Sequence, residues 1–242
     1  MDGLRDIDLL KFTENKKKIA YSASFGINEI PNEFQSCVRN DISKFKALSV
    51  RENVGKRIIE DLTLRKDVEV MIDPTMLLDS SDWNKLLRKP AQLKENEKFI
   101  LCYFLGKLSE NRLKEIERIA HSKNCKIINL LDKNCEFYET GPSEFLYLEK
   151  YAELICTDSF HSSVFAILFN KPFVIFERED NIKNMNSRIE TLLQNFKIED
   201  RKFKEKITEL NMNCDYTEAH KILQDERIKS ENFLKKALDI EE

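Results

Sequence analysis

Residues 154–176 read LICTDSFHSSVFAILFNKPFVIF, and how this stretch is parsed decides the fold class. The apolar run Leu154–Cys156 leads into a polar knot, Thr157-Asp158-Ser159-Phe160-His161. A largely apolar segment with helical character, Ser162–Phe169, follows, and a second apolar run, Phe173–Phe176, closes the stretch. A short apolar run, a helix and another short apolar run with tight connections make a β-α-β unit, the element of parallel sheets. Asp158 or Ser159 is the candidate N-cap, which puts His161 in or near the first helical turn. Asn170 and Pro172 end that helix and set Lys171 at the start of the next strand, on the face opposite a site, so Lys171 reads as structural.

The same alternation runs outward through the chain. Strands are expected at Lys18–Ser24, Ala47–Val50, Val68–Ile72, Phe99–Phe104 and Lys126–Leu130, besides the two above. Helices are expected near Asn32–Phe45, Val54–Leu64, Glu110–Ser122 and Ser143–Tyr151. Polar Arg88–Glu97, with Pro90 inside it, reads as a linker. The expected division is an N-terminal unit over 1–88, a linker over 89–97, a C-terminal unit over 98–214 and a closing helix over 215–242. In that helix Ala219, Ile222, Leu223, Leu234 and Leu238 fall at helical spacing, so one face packs on the body.

Composition narrows the function classes. The chain has 242 residues, 41% hydrophobic and 34% charged, with a net charge of −3, so nucleic acid is not an expected partner. Its apolar runs fall short of a membrane span and no signal-peptide core is visible, so a cytoplasmic location is expected. The six cysteines include no C-x-x-C pair, and Cys102, Cys125 and Cys156 sit in strand-like runs as buried free thiols, not metal ligands. There are only five glycines and no glycine-rich phosphate loop. Lys16-Lys17-Lys18, just before an apolar strand, reads as a solvated strand end, and His121 and His220, on polar helical stretches, read as solvated.

Ligands of open α/β sheets bind beyond the carboxyl ends of the strands. Those ends carry Ala23-Ser24-Phe25-Gly26, Arg51-Glu52-Asn53, Asp73-Pro74-Thr75, Leu105-Gly106-Lys107, the knot before His161, and Glu177-Arg178-Glu179. Two arginines and a histidine at strand ends of two units suit a small, doubly anionic ligand, because guanidinium forks pair bidentately with carboxylate and phosphate.

SVREN, DPTMLL followed by Trp83, GPSEFL, TDSFH, NKPF and MNSR occur in this order, and on them the chain resembles the polysaccharide pyruvyl transferase family. The resemblance implies two Rossmann-like parallel-sheet units in a glycosyltransferase-B-like arrangement. It also implies transfer of pyruvate from phosphoenolpyruvate, the donor substrate, to two hydroxyls of a sugar as a cyclic ketal, without a further cofactor. The acceptor would be a saccharide or lipid-linked saccharide in cell-surface polysaccharide synthesis. Two departures stand out. A further strand-helix portion usual at the family's N-terminus is missing, so the N-terminal unit is expected to be incomplete, with an edge strand exposed or paired in a homodimer. Some members carry an arginine just before the histidine, where this chain has Ser159-Phe160. Other functions remain open: a glycosyltransferase of the same architecture using a sugar nucleotide, or a truncated, non-catalytic binding subunit.

Protonating the methylene carbon of phosphoenolpyruvate needs an acid with a pKa near neutrality, which favours histidine. The family motif sets its histidine at His161, which is the expected catalytic acid; a structural core histidine is the alternative. Arg51, Arg178, Arg188 and Ser159 are the expected substrate-binding residues. For Arg51 the competing role is a surface pair with Glu52 or a neighbour, and for Arg188 a surface charge on the next helix. Asp73-Pro74-Thr75 reads as a capped turn, Trp83 as packing, and Glu144 as a helix-starting residue with Ser143 as N-cap.

Overall fold

The computed structural model describes residues 6–179, 186–213 and 215–240. Met185 of MNSR, Cys214 and the outermost ends of the expected division lie outside the described residues. Two parallel sheets form. The first has three strands in the order β1-β2-β3: β1 Ile19–Ala23, β2 Ala47–Val50 and β3 Glu69–Val70. The second has four in the order β5-β4-β6-β7: β4 Phe99–Tyr103, β5 Lys126–Asn129, β6 Leu154–Thr157 and β7 Phe173–Ile175. Every pairing between these strands is parallel, as expected of Rossmann-like units.

Helices α1 Asn32–Ile42 and α2 Asn53–Thr63 serve the first sheet. After the short α3 Ser80–Asn84, helices α4 Glu110–Lys123, α5 Pro142–Tyr151, α6 Phe160–Leu168 and α7 Ser187–Phe196 serve the second. A short α8, Glu209–Met212, precedes the long α9, Thr217–Leu238. A strand buried at every position, such as β6 with its apolar Leu154, Ile155 and Cys156, is what a sheet covered on both faces requires. Helix α6 is buried along almost its whole length, because it lies between that sheet and α5 and α7.

The chain turns toward the site through a bulge in β1. The β1–β2 register shifts between Ala20 and Ala23, and Ser22 takes a left-handed φ of 51°. Its N–H donates to Ser49 Oγ at 2.8 Å, replacing a ladder bond that the bulge removes. Gly26 follows at φ 65°, where a side chain would be strained.

Some local expectations are corrected. Helix α5 starts two residues earlier than a Ser143 cap would allow, since Gly141 is the N-cap and its N–H donates to Glu144 Oε2 at 2.9 Å. Lys18 is buried while Lys16 and Lys17 are exposed. His220 is not simply solvated: it is half-buried, with Nε2 2.6 Å from Asn170 Oδ1, and that burial lowers its pKa. Cys102 and Cys156 are buried free thiols on adjacent strands, whereas Cys125 is partly exposed. Trp83 packs edge-on to Phe165 and donates from Nε1 to the Thr75 carbonyl.

Candidate active site

Four elements bring their polar ends together where the two sheets meet. Arg51 follows β2 and Asp73 follows β3, while His161 sits in the first turn of α6, just after β6. Arg51 Nη1 donates to Asp73 Oδ2 at 2.6 Å, and His161 Nε2 lies 3.7 Å from the same oxygen. The Asp73 carboxylate at the end of the first sheet thus faces a guanidinium of its own sheet and the imidazole at the start of α6. The guanidinium of Arg51 also lies over the Phe160 ring, 5.2 Å from its centroid.

Asp73 is almost fully buried, its side chain 2% exposed. Burial alone would raise its carboxyl, but hydrogen bonds from the N–H and hydroxyl of Thr75 and from Arg51, with the charge of His161, outweigh this and hold its pKa low. It is therefore a charged partner and a helix cap at once.

Behind the knot, Asp158 is a brace. Its carboxylate accepts the N–H of Leu105 at 2.7 Å and of Gly106 at 2.8 Å, tying the end of β4 to the end of β6. Arg178 Nε stands 3.5 Å from the same carboxylate. Ser159, not Asp158, is the N-cap of α6, its Oγ 3.5 Å from the Ser162 N–H, and it is buried. The Ser159 hydroxyl thus serves the start of the helix.

Arg188, in the first turn of α7, completes the cluster. The charges felt by its guanidinium are those of Arg51, Glu52, Arg178 and Asp73. Burial, foremost, and the two neighbouring arginines lower its pKa against the two acids. Among the described residues its Nε is buried without a hydrogen-bond partner, as is Arg51 Nε. Glu52 is fully buried; Oε1 accepts Ser24 Oγ at 3.0 Å and the Phe25 N–H at 2.8 Å, while Oε2 is left without a partner. Arg51 therefore pairs with Asp73 and not with Glu52. Buried guanidinium donors without protein partners are groups that an anion would satisfy.

His161 keeps 46% of its side chain exposed, so it faces the opening and is not a core residue. Partial burial lowers its pKa most; Asp73 pulls the other way, and Arg51 and Arg188 add to the lowering. In the empty cluster the ring is thus disposed to be neutral, while an anion beside it would favour the charged form. The N–H groups at the start of α6 point the same way.

The seam beneath the cluster is tight. A cavity of only about 10 Å³, lined by Arg51, Asp73, Phe160 and Thr191 among others, remains there. The Asn53 N–H, at the start of α2, donates to Thr191 Oγ1 of α7 at 3.1 Å and closes it.

Arg51, Arg178 and His161 stand at strand ends as the strand-end argument expects, and Arg188 joins them from the first turn of α7. Asp73, Glu52 and Asp158 are the parts of the cluster it did not identify. The one available signal for Asp73 was its place directly after β3, beside the end of β2. Among the described residues no helix is long and apolar enough to cross a membrane, and no three His, Cys, Asp or Glu side chains are grouped to hold a metal ion.

The family model described as polysaccharide pyruvyl transferase matches residues 2–181, a span that holds every cluster residue except Arg188. No curated protein sequence matches the chain.

Proposed function

The chain belongs to the polysaccharide pyruvyl transferase family, and from that premise we propose that it transfers the pyruvyl group of phosphoenolpyruvate to two hydroxyls of a saccharide as a cyclic ketal. The observation that carries this reading is that the charges of Arg51 and Arg188 act on the partly exposed His161, with Arg178 close to Arg188. Phosphoenolpyruvate offers a carboxylate and a phosphate one carbon apart, and two or three guanidinium groups around one proton donor match that pattern.

The residues divide the work as follows. Arg188 and Arg178 hold the carboxylate and phosphate, with Arg51 shared between Asp73 and the substrate. The incoming anions raise the pKa of His161, so binding charges the acid. His161 then gives its proton to the methylene carbon while one acceptor hydroxyl adds to C2, and that hydroxyl's proton leaves with the phosphate as the C2–O bond breaks. The second hydroxyl adds to the resulting oxocarbenium ion and returns its proton to His161. Two hydroxyl protons are lost, one replacing the proton given to the methyl group and one departing on inorganic phosphate. Asp73 stabilises the imidazolium form before the proton is given and again after it is returned.

The test is phosphate release from phosphoenolpyruvate in the presence of saccharide acceptors, with the ketal methyl group followed by NMR. His161→Gln should lower turnover by about 10²–10⁴-fold, the usual contribution of a general acid, while leaving phosphoenolpyruvate binding within a few fold. Failure of the wild-type chain to bind phosphoenolpyruvate in a thermal-shift titration would remove the reading.

A further inference from the structure

Glu149, in α5, is a fully buried carboxyl outside the cation cluster. Both its oxygens are buried without a hydrogen-bond partner among the described residues. Its helix presents Leu146 and Leu148 to the same apolar core that takes Val164 and Phe165 of α6. The polar group that acts on the carboxyl is the Ser162 hydroxyl, in the first turn of α6 and directly after His161. Ser162 Oγ is likewise buried without a hydrogen-bond partner. The other serines of that turn are committed: Ser159 Oγ accepts the Ser162 N–H, and Ser163 Oγ donates to the Ser159 carbonyl.

These two unanswered groups satisfy each other only if the acid carries its proton. An ionised carboxyl is an acceptor with about four lone-pair sites, and a single hydroxyl can meet only one of them. The rest would stand bare in an apolar core, which is a costly burial. A neutral acid is a donor, and Ser162 Oγ is an acceptor that lacks one. Of the ionisable groups around α5, Tyr103 of β4 stands near enough to feel a charge on Glu149, Arg88 pairs with Glu144, and Lys150 bonds Asn84. None of them holds the Glu149 carboxyl, which burial pushes well above the ordinary 4.5 against the Ser162 bond. We propose that Glu149 is a positioning residue, a neutral acid that donates to Ser162 Oγ and so fixes the first turn of α6, from which His161 meets the cation cluster.

The inference is independent of the substrate that His161 serves, and every readout is taken without phosphoenolpyruvate. Infrared difference spectra of the full chain near neutral pH, wild type minus either Glu149→Gln or Glu149→Leu, should show the carbonyl stretch of a neutral carboxylic acid. Urea melts give the sign of the linkage. The folded chain keeps a proton that the unfolded chain releases above 4.5, so stability is greatest below that value and falls as pH rises. Relative to either variant, the wild-type folding equilibrium constant should fall by up to about tenfold per pH unit from about pH 5 upward. All three proteins share every other titrating group, so the difference isolates Glu149. For the positioning role, the ring signals of His161 are assigned by their loss in His161→Gln and titrated by NMR. Glu149→Gln, which keeps a donor for Ser162, should leave the His161 titration in place. Glu149→Leu, which takes that donor away, should move it, because the 3.7 Å between the ring and Asp73 depends on the turn. Ser162→Ala serves the same purpose if the leucine variant fails to fold. A difference spectrum without the acid carbonyl overturns the proposal, as do parallel pH slopes. So does a His161 titration unmoved in folded Glu149→Leu or Ser162→Ala.

Discussion

Arg51 has two obligations, and they make its replacement a poor test of binding taken alone. Removing it weakens an anion site, but it also strips a charged partner from Asp73, whose side chain is 2% exposed. Breaking one side of a buried pair costs about 3–5 kcal/mol, less here because Thr75 keeps its two bonds to the carboxylate. Arg51→Ala is therefore expected to lower both stability and phosphoenolpyruvate affinity. Arg188→Ala separates the two. Its buried Nε has no partner among the described residues, so its loss should reduce affinity by roughly 1.5–3 kcal/mol with little change in the denaturation midpoint. Calorimetry beside urea unfolding distinguishes these cases, and a large loss of stability in Arg188→Ala would show that it serves the fold. The histidine gives a signed pH effect. Its pKa in the empty protein lies below the ordinary 6.5, so between those two values the unfolded chain binds more protons and stability falls as pH falls. An anion that raises the pKa makes binding take up a proton, so phosphoenolpyruvate affinity should increase as pH drops from about 8 to about 6, beyond the ligand's own titration. His161→Gln should lose that extra slope; identical slopes would detach His161 from the anion.

At the scale of elements, alternation of short apolar runs with amphipathic helices was enough to read all seven strands and their direction, most plainly for β4, β6 and β7, where burial on both faces keeps nearly every position apolar. It also set Arg51, Arg178 and His161 at carboxyl ends, since that follows from strand order along the chain and not from contacts. Contacts were what it could not give. The bond between Arg51 and Asp73 joins residues 22 apart through the parallel pairing of β2 and β3. Whether Asp158 or Ser159 caps α6 depended on Leu105 and Gly106, more than 50 residues away, claiming the aspartate. Glu144 reaches back to Gly141 and fixes a helix start that Ser143 seemed to own. The cap of α6 yields a test of its own. Ser159→Ala should cost about 0.5–2 kcal/mol as a lost N-cap and loosen the turn that aims His161. Ser159→Asp, able to cap, should restore most of that stability in urea melts. A large loss of phosphoenolpyruvate affinity at unchanged stability would instead give Ser159 a direct ligand role.

Across the whole molecule, the two sheets share more than a linker. Ile72 and Met76, from the end of the first unit, lie in the core cluster of the second sheet with Leu101, Val164 and Phe196. Helix α9 binds both parts: Tyr216, at its start, belongs to that core and donates to the Lys171 carbonyl. Farther along, Arg227 donates to the carbonyls of Met76 and Leu78, and Lys229 to that of Val70. Phe233 then meets Tyr21 of β1 at a ring distance of 6.2 Å. The division at 89–97 is thus proposed as a connection between units that fold together, not between units that melt separately. A three-stranded sheet with short strands has too little core for independence, and α9 and the Asn53–Thr191 bond supply what it lacks. The expected outcome is one cooperative transition, with circular dichroism and intrinsic fluorescence of Trp83 giving coincident curves. Proteolytic nicking within 89–97 should leave the fragments associated in native gel filtration. Deletion of residues from Tyr216 onward should unfold the first sheet before the second. Two separated transitions in the intact chain would mean that the clustered arginines and His161 are held by two independent bodies, so ligand binding should then be read as domain closure.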